Sequence, residues 1–432
     1  MIKSHIITIG DEILSGNIID TNAKWLSEKL YSIGIKTTKI ITISDDKNQI
    51  KRTINSSINR SDIIIVTGGL GPTNDDITKK TLCEVYSSKL IQDKKSLDNI
   101  SKIFLKRGLE LTKKNIEQAL VPDKCKVLNN EFGTAPGMAF YEDNTLLISL
   151  PGVPYEMKSL FKDKCITYIK QKFKLPYIYQ KTIKTTGIGE SWLSDIIKDW
   201  ENEIEEDIKL AYLPSLGRVK LRLTGKGENI DALKKKIENQ VEKVLPLIKN
   251  YVFGYDDDEL EDVIGKILSK TKKTISVAES CSCGNVSKTL TAVPGSSTYF
   301  IGGIVAYSND VKVKELKIDK ELIEKHGAVS KEVVERMAQS TRKKFKSDIG
   351  ISTSGIAGPS GGTPEKPVGT VWIAYSDKKN TISKKLNLTE RRDLNIILTT
   401  VNVLNLLRLN LEINRKLDKK SFEDTVTLNQ IC

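Results

Sequence analysis

The spacing of hydrophobic positions changes period repeatedly along the chain. Ile6-Ile7-Thr8-Ile9 is an apolar run that stops at Gly10-Asp11, which predicts a short buried strand and a turn. Ala23, Leu26 and Leu30 then recur at three- and four-residue spacing, which predicts a helix. Further strands are expected at Lys39–Ile43, Asp62–Val66 and Leu146–Leu150. Ile63–Val66 shows no alternation at all, so both of its faces should be buried, as in the centre of a parallel sheet. This order predicts a doubly wound α/β domain over residues 1–172, with ligands at the carboxyl ends of its strands.

A second segment, 176–253, reads differently. Thr182–Thr186 is strand-like, a helix is expected from Ser191 to about Trp200, and Arg218–Thr224 alternates as a half-exposed strand. Asn229–Lys243 follows as an amphipathic, lysine-rich helix. These suit a small α+β module. The acidic run Asp256-Asp257-Asp258-Glu259 marks a boundary and reads as linker and helix start. A third segment, 257–412, is again α/β. Its strands are expected at Thr274–Ala278, Ile301–Tyr307, Asp348–Ser352 and Gly369–Tyr375, and helices at 331–346 and 391–412. Residues 413–432 read as a frayed tail. The expected fold class is α/β: two three-layer α/β domains joined by a small α+β module.

Composition narrows the chemistry. A length of 432 residues suits about three domains. Lysine and arginine exceed aspartate and glutamate, 68 to 55, for a net charge of +13. The lysines are scattered, with no aromatic-interleaved basic patch, so anionic small molecules are expected as partners and nucleic acid is not. There are two histidines, His5 and His326. They exclude a His-rich zinc site and an HExxH helix and leave little room for a Ser-His-Asp triad. The six cysteines are 83, 125, 165, 281, 283 and 432. Cys281-Ser-Cys283 is too tight for a zinc pair. There is no signal-peptide core and no apolar run of membrane-spanning length. A soluble cytoplasmic chain with free thiols and no membrane partner is the expectation.

Two strand ends carry candidate chemistry. Val66-Thr67-Gly68-Gly69-Leu70-Gly71-Pro72-Thr73-Asn74-Asp75-Asp76 joins the central strand to a helix. Its glycines let backbone approach a ligand, and the helix N–H groups suit a phosphate. Asp75 and Asp76 could hold Mg²⁺ against that phosphate, or simply serve a capping turn with Thr73. Gly10-Asp11 and Asn22 add polar groups nearby in the fold. In the third segment, Ser280 follows a strand and precedes a helix. Such a serine either caps the helix or acts as a nucleophile, with the next backbone N–H groups as an oxyanion hole. Tyr307 and Lys312 end the following strand. With histidine scarce, a lysine whose pKa burial has lowered is the natural base. His326 is the alternative, although it reads as a helix end. Thr353–Thr370 is a glycine-rich loop able to cradle a phosphate, or a structural loop, and Arg392 could add a contact or merely start a solvated helix.

These motifs carry a resemblance. Gly10-Asp11-Glu12-Ile13-Leu14, Asp20-Thr21-Asn22, Thr67–Asp76, Asn130–Gly137 and Pro151–Met157 resemble the molybdopterin-binding-type domain of the CinA family. Ala278–Cys281, Pro294–Ser297, Ala306–Asn309 with Lys312, His326–Ser330, Gly355–Pro359 and Gly362–Thr370 are similar to that family's C-terminal, PncC-type nicotinamide mononucleotide deamidase domain. The resemblance spans about 1–410. It implies hydrolysis of nicotinamide mononucleotide to nicotinate mononucleotide and ammonia, without a cofactor. It also implies a metal-dependent ADP-ribose pyrophosphatase in the first domain, and a homodimer. Carried over by residue, it implies that Ser280 is the nucleophile, Lys312 its base and Tyr307 a helper. Glu279, Cys281, Ser282, Asn309, Thr353, Gly355, Gly358, Gly362 and Arg392 would bind that substrate. Gly10, Asp11, Asn22, Gly68, Gly69, Gly71 and Thr73 would bind the other, with Asp75 and Asp76 holding Mg, Mn or Co. One departure stands out: the family pattern Glu-Ser-Cys-Thr-Gly-Gly has Ser282 and Cys283 here in place of Thr and the first Gly. The competing reading is a pterin- or nucleotide-binding or DNA-uptake protein without catalysis.

Overall fold

A computed structural model describes residues 2–73, 75–106 and 108–420, with backbone alone for 413–420. The first domain is built on a six-stranded sheet in the order Lys36–Ile43, Lys3–Ile9, Ile63–Thr67, Thr145–Leu150, Gly137–Glu142 and Lys126–Leu128. The first four strands are parallel, and Gly137–Glu142 runs antiparallel to both of its neighbours. Ile63–Thr67 is central and buried throughout, as its unbroken apolar run requires. Its side chains alternate between two cores. Ile63 and Ile65 pack with Leu26, Leu30 and Phe161, whereas Ile64 and Val66 pack with Ile50, Ile54 and Leu82. Helices on both faces make three layers. The antiparallel strand Gly137–Glu142 escapes the sequence pattern, because a hairpin turn at Asp143-Asn144, both at positive φ, folds it back on Thr145–Leu150.

The middle module has a four-stranded sheet, in the order Ile208–Ser215, Arg218–Gly227, Tyr177–Thr186 and Val252–Tyr255. Val219, Leu221 and Leu223 are buried, and the residues between them are half-buried, so the period-two pattern reads out as two unlike faces. Helices Glu190–Asn202 and Ile230–Ile248 bury Leu193, Ile197, Trp200, Ile237 and Val244. The Trp200 indole donates to the Gln240 carbonyl at 3.1 Å.

The third domain holds a five-stranded sheet in the order Phe300–Val305, Ile275–Glu279, Ile349–Gly355, Thr370–Ser376 and Thr381–Asn387. The first three strands are parallel, and Thr370–Ser376 runs antiparallel to both of its neighbours. Val277 faces a core with Ile264, Leu268, Leu404 and Leu407. Its neighbour Ala278 faces the other core, with Leu316, Val333 and Met337. Helix Arg392–Lys420 therefore covers one face and Lys331–Phe345 the other. The expected break at 413 is corrected: the helix continues to Lys420, and residues 421–432 of the expected tail lie outside the described residues.

The stretch Arg392–Glu412 is long and apolar enough to cross a membrane by length and composition. Its apolarity has a local cause, since Val403, Leu404, Leu407 and Leu411 lie in the domain core. Arg408 sits among them with no exposed surface. Its guanidinium donates to the carbonyls of Asn250 (2.9 Å) and Val252 (3.0 Å), to Asn405 Oδ1, and to the Glu412 carboxylate. Every arm of the fork is thus satisfied, which is what makes a dry arginine tolerable. Truncation would strand buried carbonyls. Arg408→Ala should lower unfolding free energy by about 3 kcal/mol, read from urea denaturation of the full chain, and Arg408→Lys should recover less than half of it because a point donor cannot span the fork.

Candidate active site

Ser280 follows the strand Ile275–Glu279 immediately, and its backbone N–H donates to the Thr353 carbonyl at 3.0 Å. Lys312 is the fourth residue of the helix Asn309–Leu316, which Ser308 caps by accepting from Val311 N–H. Side chains in a helix lean toward its N-terminus, so Lys312 reaches back to the strand end. Its Nζ lies 3.3 Å from Ser280 Oγ, 2.9 Å from the Ala306 carbonyl and 3.2 Å from the Tyr307 carbonyl. Lys312 is 1% exposed and Ser280 8%. Burial holds the lysine below its usual pKa of 10.5, with the Cys281 thiol acting weakly in the opposite sense.

Glu279 was expected to bind substrate. The structure corrects this, because the side chain has no exposed surface and both oxygens serve its own loop. Oε2 accepts from Ser282 Oγ (2.7 Å), Gly284 N–H (2.9 Å) and Val286 N–H (3.1 Å). Oε1 accepts from Ser287 N–H (2.8 Å) and Ser287 Oγ (2.6 Å). The carboxylate therefore caps the helix Asn285–Thr291 and fixes the turn that presents Ser280. Ser287 escaped sequence reasoning; its only signal is a hydroxyl one helical turn past Glu279's own turn. With the N–H groups of Gly284, Val286 and Ser287 engaged, the loop's own bonding leaves those of Cys281 and Ser282.

Three more expected substrate contacts lie beneath the surface. Ser282 is buried between Glu279 and Thr353, whose hydroxyl it meets at 2.6 Å. Thr353 is itself fully buried. Cys281 packs into the core, and burial pushes its thiol up to about 12. These side chains support the site and do not line its opening. Asn309 and Tyr307 are exposed at the strand end, Tyr307 by 59%.

Arg392 opens the last helix and draws three motifs together. It donates to Tyr307 Oη (3.0 Å) and the Gly358 carbonyl (3.1 Å), and it approaches Cys283 Sγ (3.8 Å). Cys283 is exposed at φ 54°, a left-handed conformation natural to the glycine of the family pattern and worth roughly 1 kcal/mol of strain for any other residue. Its thiol folds back on the carbonyls of Ser280 and Cys281. In the glycine-rich loop, Gly358 (φ +91°) could not carry a Cβ without meeting Val368, and Gly355 and Gly362 are crowded by Val371 and Val368. Asn395, missed from sequence, donates to the Ala357 and Thr389 carbonyls and anchors this loop. His326 ends its helix with its ring 3.6 Å from Glu332, and His5 is buried in the first strand.

At the first domain's strand ends, Gly68 lies at φ +113°, where a Cβ would run into the Ile9 carbonyl, and Gly69 sits against Thr78. Asn22 Nδ2 donates to the Gly152 carbonyl at 2.7 Å and approaches Thr67 Oγ1 at 3.3 Å. Gly10 caps the short helix Asp11–Leu14, and Asp11 N–H donates to Asp45 at 3.2 Å. Burial raises the Asp45 carboxyl, and the Asp11, Glu12 and Asp75 carboxylates raise it further. Asp76 accepts from the N–H and hydroxyl of Thr73 beside Gly71, closing a turn, while Asp75 is exposed. Among the described residues no three His, Cys, Asp or Glu side chains converge to hold a metal.

Three family models match this chain in succession: a probable molybdopterin binding domain over residues 5–171, a damage-inducible protein CinA KH domain over 180–254, and a CinA C-terminal domain over 257–411. A CinA-like protein of Cytophaga hutchinsonii is 48% identical over 95% of this chain and 98% of its own length. One of Flavobacterium psychrophilum is 47% identical over 90% and 94%. A solved CinA structure from Thermoplasma acidophilum is 32% identical, with a TM-score of 0.36, covering 40% of this chain and 98% of its own.

The five-donor role of Glu279 is testable by one atom. Glu279→Gln turns an acceptor into a donor facing N–H groups, and should cost about 2–3 kcal/mol of unfolding free energy. Urea unfolding at neutral pH measures it; a change under about 0.5 kcal/mol would show that the loop holds without the carboxylate.

Proposed function

The chain belongs to the CinA family, and on that premise we propose that its third domain hydrolyses the carboxamide of nicotinamide mononucleotide, giving nicotinate mononucleotide and ammonia. The observation that carries this reading is Lys312 Nζ at 3.3 Å from Ser280 Oγ, with both side chains buried. A neutral lysine amine has two N–H donors and one lone pair. The carbonyls of Ala306 and Tyr307 take the donors, which turns the lone pair toward the Ser280 hydroxyl.

Ser280 Oγ then attacks the carboxamide carbon as its proton passes to Lys312. The carbonyl oxygen becomes an oxyanion, for which the N–H groups of Cys281 and Ser282 are available. The lysine ammonium gives its proton to the departing nitrogen, and ammonia leaves an acyl-serine. Water, deprotonated by the same amine, cleaves that ester and restores Ser280. Arg392 and the glycine-rich loop Ile356–Gly369 are assigned the nucleotide phosphate. Tyr307, held by Arg392, flanks the carboxamide with Asn309. This needs no cofactor, and the free thiols suit a cytoplasmic setting.

For the first domain we infer a nucleotide ligand, ADP-ribose being the candidate substrate, at the strand ends around Asn22, Gly68, Gly69 and Thr73. No step is routed through a metal there. Turnover of ADP-ribose by the full chain, with and without added Mg, Mn or Co, checks this half; no phosphate-bond cleavage under any of them removes the pyrophosphatase reading.

Ammonia release tests the amidohydrolase. Ser280→Ala should abolish turnover of nicotinamide mononucleotide, and Lys312→Ala should lower kcat by about 10²- to 10⁴-fold. Full activity in either variant overturns the mechanism. The pH profile has a fixed sign. Only neutral Lys312 is a base, so kcat/KM should rise with pH and level off through an inflection below 10.5. A rate that falls over that range would exclude lysine as the base.

A further inference from the structure

Helix Glu190–Asn202 of the middle module divides its apolar residues between two faces. Leu193, Ile197 and Trp200, at four- and three-residue spacing, are buried and form the inward stripe of an amphipathic helix. Trp192 and Ile196 do not join it: they are 69% and 40% exposed. Of the four tryptophans, Trp25, Trp200 and Trp372 are buried or half-buried, and Trp192 alone is mostly in solvent. A scattered exposed aliphatic residue needs no explanation, whereas a large exposed aromatic beside a second apolar residue marks a contact surface. The indole is also seated. Its ring lies on Gly189, where any Cβ would come within 2.7 Å of it, so its position is set before a partner arrives. Carboxylates frame the pair. From Glu190 to Asp207 the chain has eight of them and one lysine, Lys198, in a protein of net charge +13. Glu205 and Asp207 pair with Lys236, and Glu201 accepts from Tyr212. Among the described residues, exposed Glu190, Asp195 and Asp199 form no ion pair. Trp192, Ile196 and Asp199 follow one another along one shoulder of the helix, with Asp195 one turn from Trp192.

We propose that Trp192, Ile196, Asp195 and Asp199 form a docking face for another protein, which binds through a basic segment carrying arginine beside an aliphatic residue. The sign of the face selects the class of partner. A nucleic acid or an anionic lipid surface would bring phosphates against unpaired carboxylates, which repel them. A wholly apolar segment would strip water from those carboxylates and return nothing. A basic segment meets both features at once. An arginine guanidinium stacks on an indole face and donates in pairs to a carboxylate, which a lysine ammonium does not. An aliphatic neighbour on the same segment then covers Ile196. The local acidity within a basic protein makes this face the place where a cationic partner is steered. The inference does not rest on the amidohydrolase reading, since no residue of this helix is assigned to the reaction.

The probe is a synthetic peptide with arginine and leucine repeated at helical spacing, carrying a fluorescein label. The full chain should bind it, as read by anisotropy, and more weakly as salt is added. With unlabelled peptide, the part of the tryptophan emission that Trp192→Phe removes should shift to the blue as the ring leaves water. Trp192→Ala should weaken binding at least about tenfold, and Trp192→Phe should weaken it less because a ring remains. Asp195→Asn together with Asp199→Asn should weaken it by about the same factor and flatten its salt dependence. These side chains are exposed, so circular dichroism should not change; Ile196→Ser, read in the same way, stands in should Trp192→Ala fail to fold. The same peptide with citrulline for arginine, equal in shape but uncharged, should bind at least about tenfold more weakly. No binding at low salt, wild-type binding by Trp192→Ala, or equal binding of the citrulline peptide overturns the proposal. So does shielding of Trp192 that grows with concentration of the chain alone, which would make a second copy the occupant. Binding of labelled single-stranded RNA that Trp192→Ala removes would overturn it too, in favour of nucleic acid.

Discussion

A lysine amine kept dry beside a serine hydroxyl, with no carboxylate to pair with it, is the constraint around which the third domain is arranged. Desolvation penalises the ammonium, and two backbone carbonyls orient what remains. The dangerous neighbour is Glu279, fully buried and adjacent to Ser280 in sequence. An ion pair between Glu279 and Lys312 would stabilise the ammonium and remove the proposed base. The fold prevents this by giving the carboxylate five other donors from its own turn and helix. The buried negative charge is satisfied locally, and the lysine faces only neutral partners. That division also decides which backbone N–H groups stay available near Ser280.

One element ties these loops together. Helix Arg392–Lys420 starts with Arg392 on Tyr307, Gly358 and Cys283, places Asn395 on the glycine-rich loop, and has Thr400 accepting from Asn285 at 2.8 Å. Sixteen residues beyond Arg392, roughly 24 Å along the axis, Arg408 grips the chain around Asn250 and Val252. The two arginines act in opposite media. Arg408 is dry and fully bonded, so it fixes position. Arg392 keeps solvent access and one weak sulfur contact, so it can exchange partners for an anionic ligand at small cost.

Much of this was legible in the sequence because apolar runs and glycine turns are local signals. Ile63–Val66 announced a central strand, and the strand-to-helix corners located Ser280 and Lys312. What a sequence pattern does not carry is which way a polar side chain turns. Glu279, Ser282 and Thr353 sit in the right motifs but face inward, because the corner must satisfy its own backbone before it can meet a ligand. Asp76 likewise closes its own turn on Thr73. Gly137–Glu142 was hidden for a different reason: its partner is reached through a hairpin whose two turn residues, Asp143 and Asn144, look like any polar loop. Arg408 was invisible because an arginine in a helix ordinarily reads as surface.

The two α/β domains obey one rule, ligand groups at the carboxyl ends of parallel strands, and yet satisfy it differently. In the third domain the polar side chains beneath Ser280 saturate one another. In the first, Asn22 Oδ1 and Thr78 Oγ1 are buried with no hydrogen-bond partner, on either side of Gly68 and Gly69. Leaving such groups unpaired costs on the order of 1–3 kcal/mol each, a cost that a bound donor or acceptor at the strand ends would offset. The catalysis proposed at Ser280 would need a geometry fixed before substrate arrives, and its supports are complete without one. A binding cleft instead gains affinity from groups that only the ligand satisfies. The unpaired amide oxygen of Asn22 therefore weighs more for a nucleotide ligand in the first domain than the acidic pair Asp75 and Asp76, one member of which is already spent on its own turn.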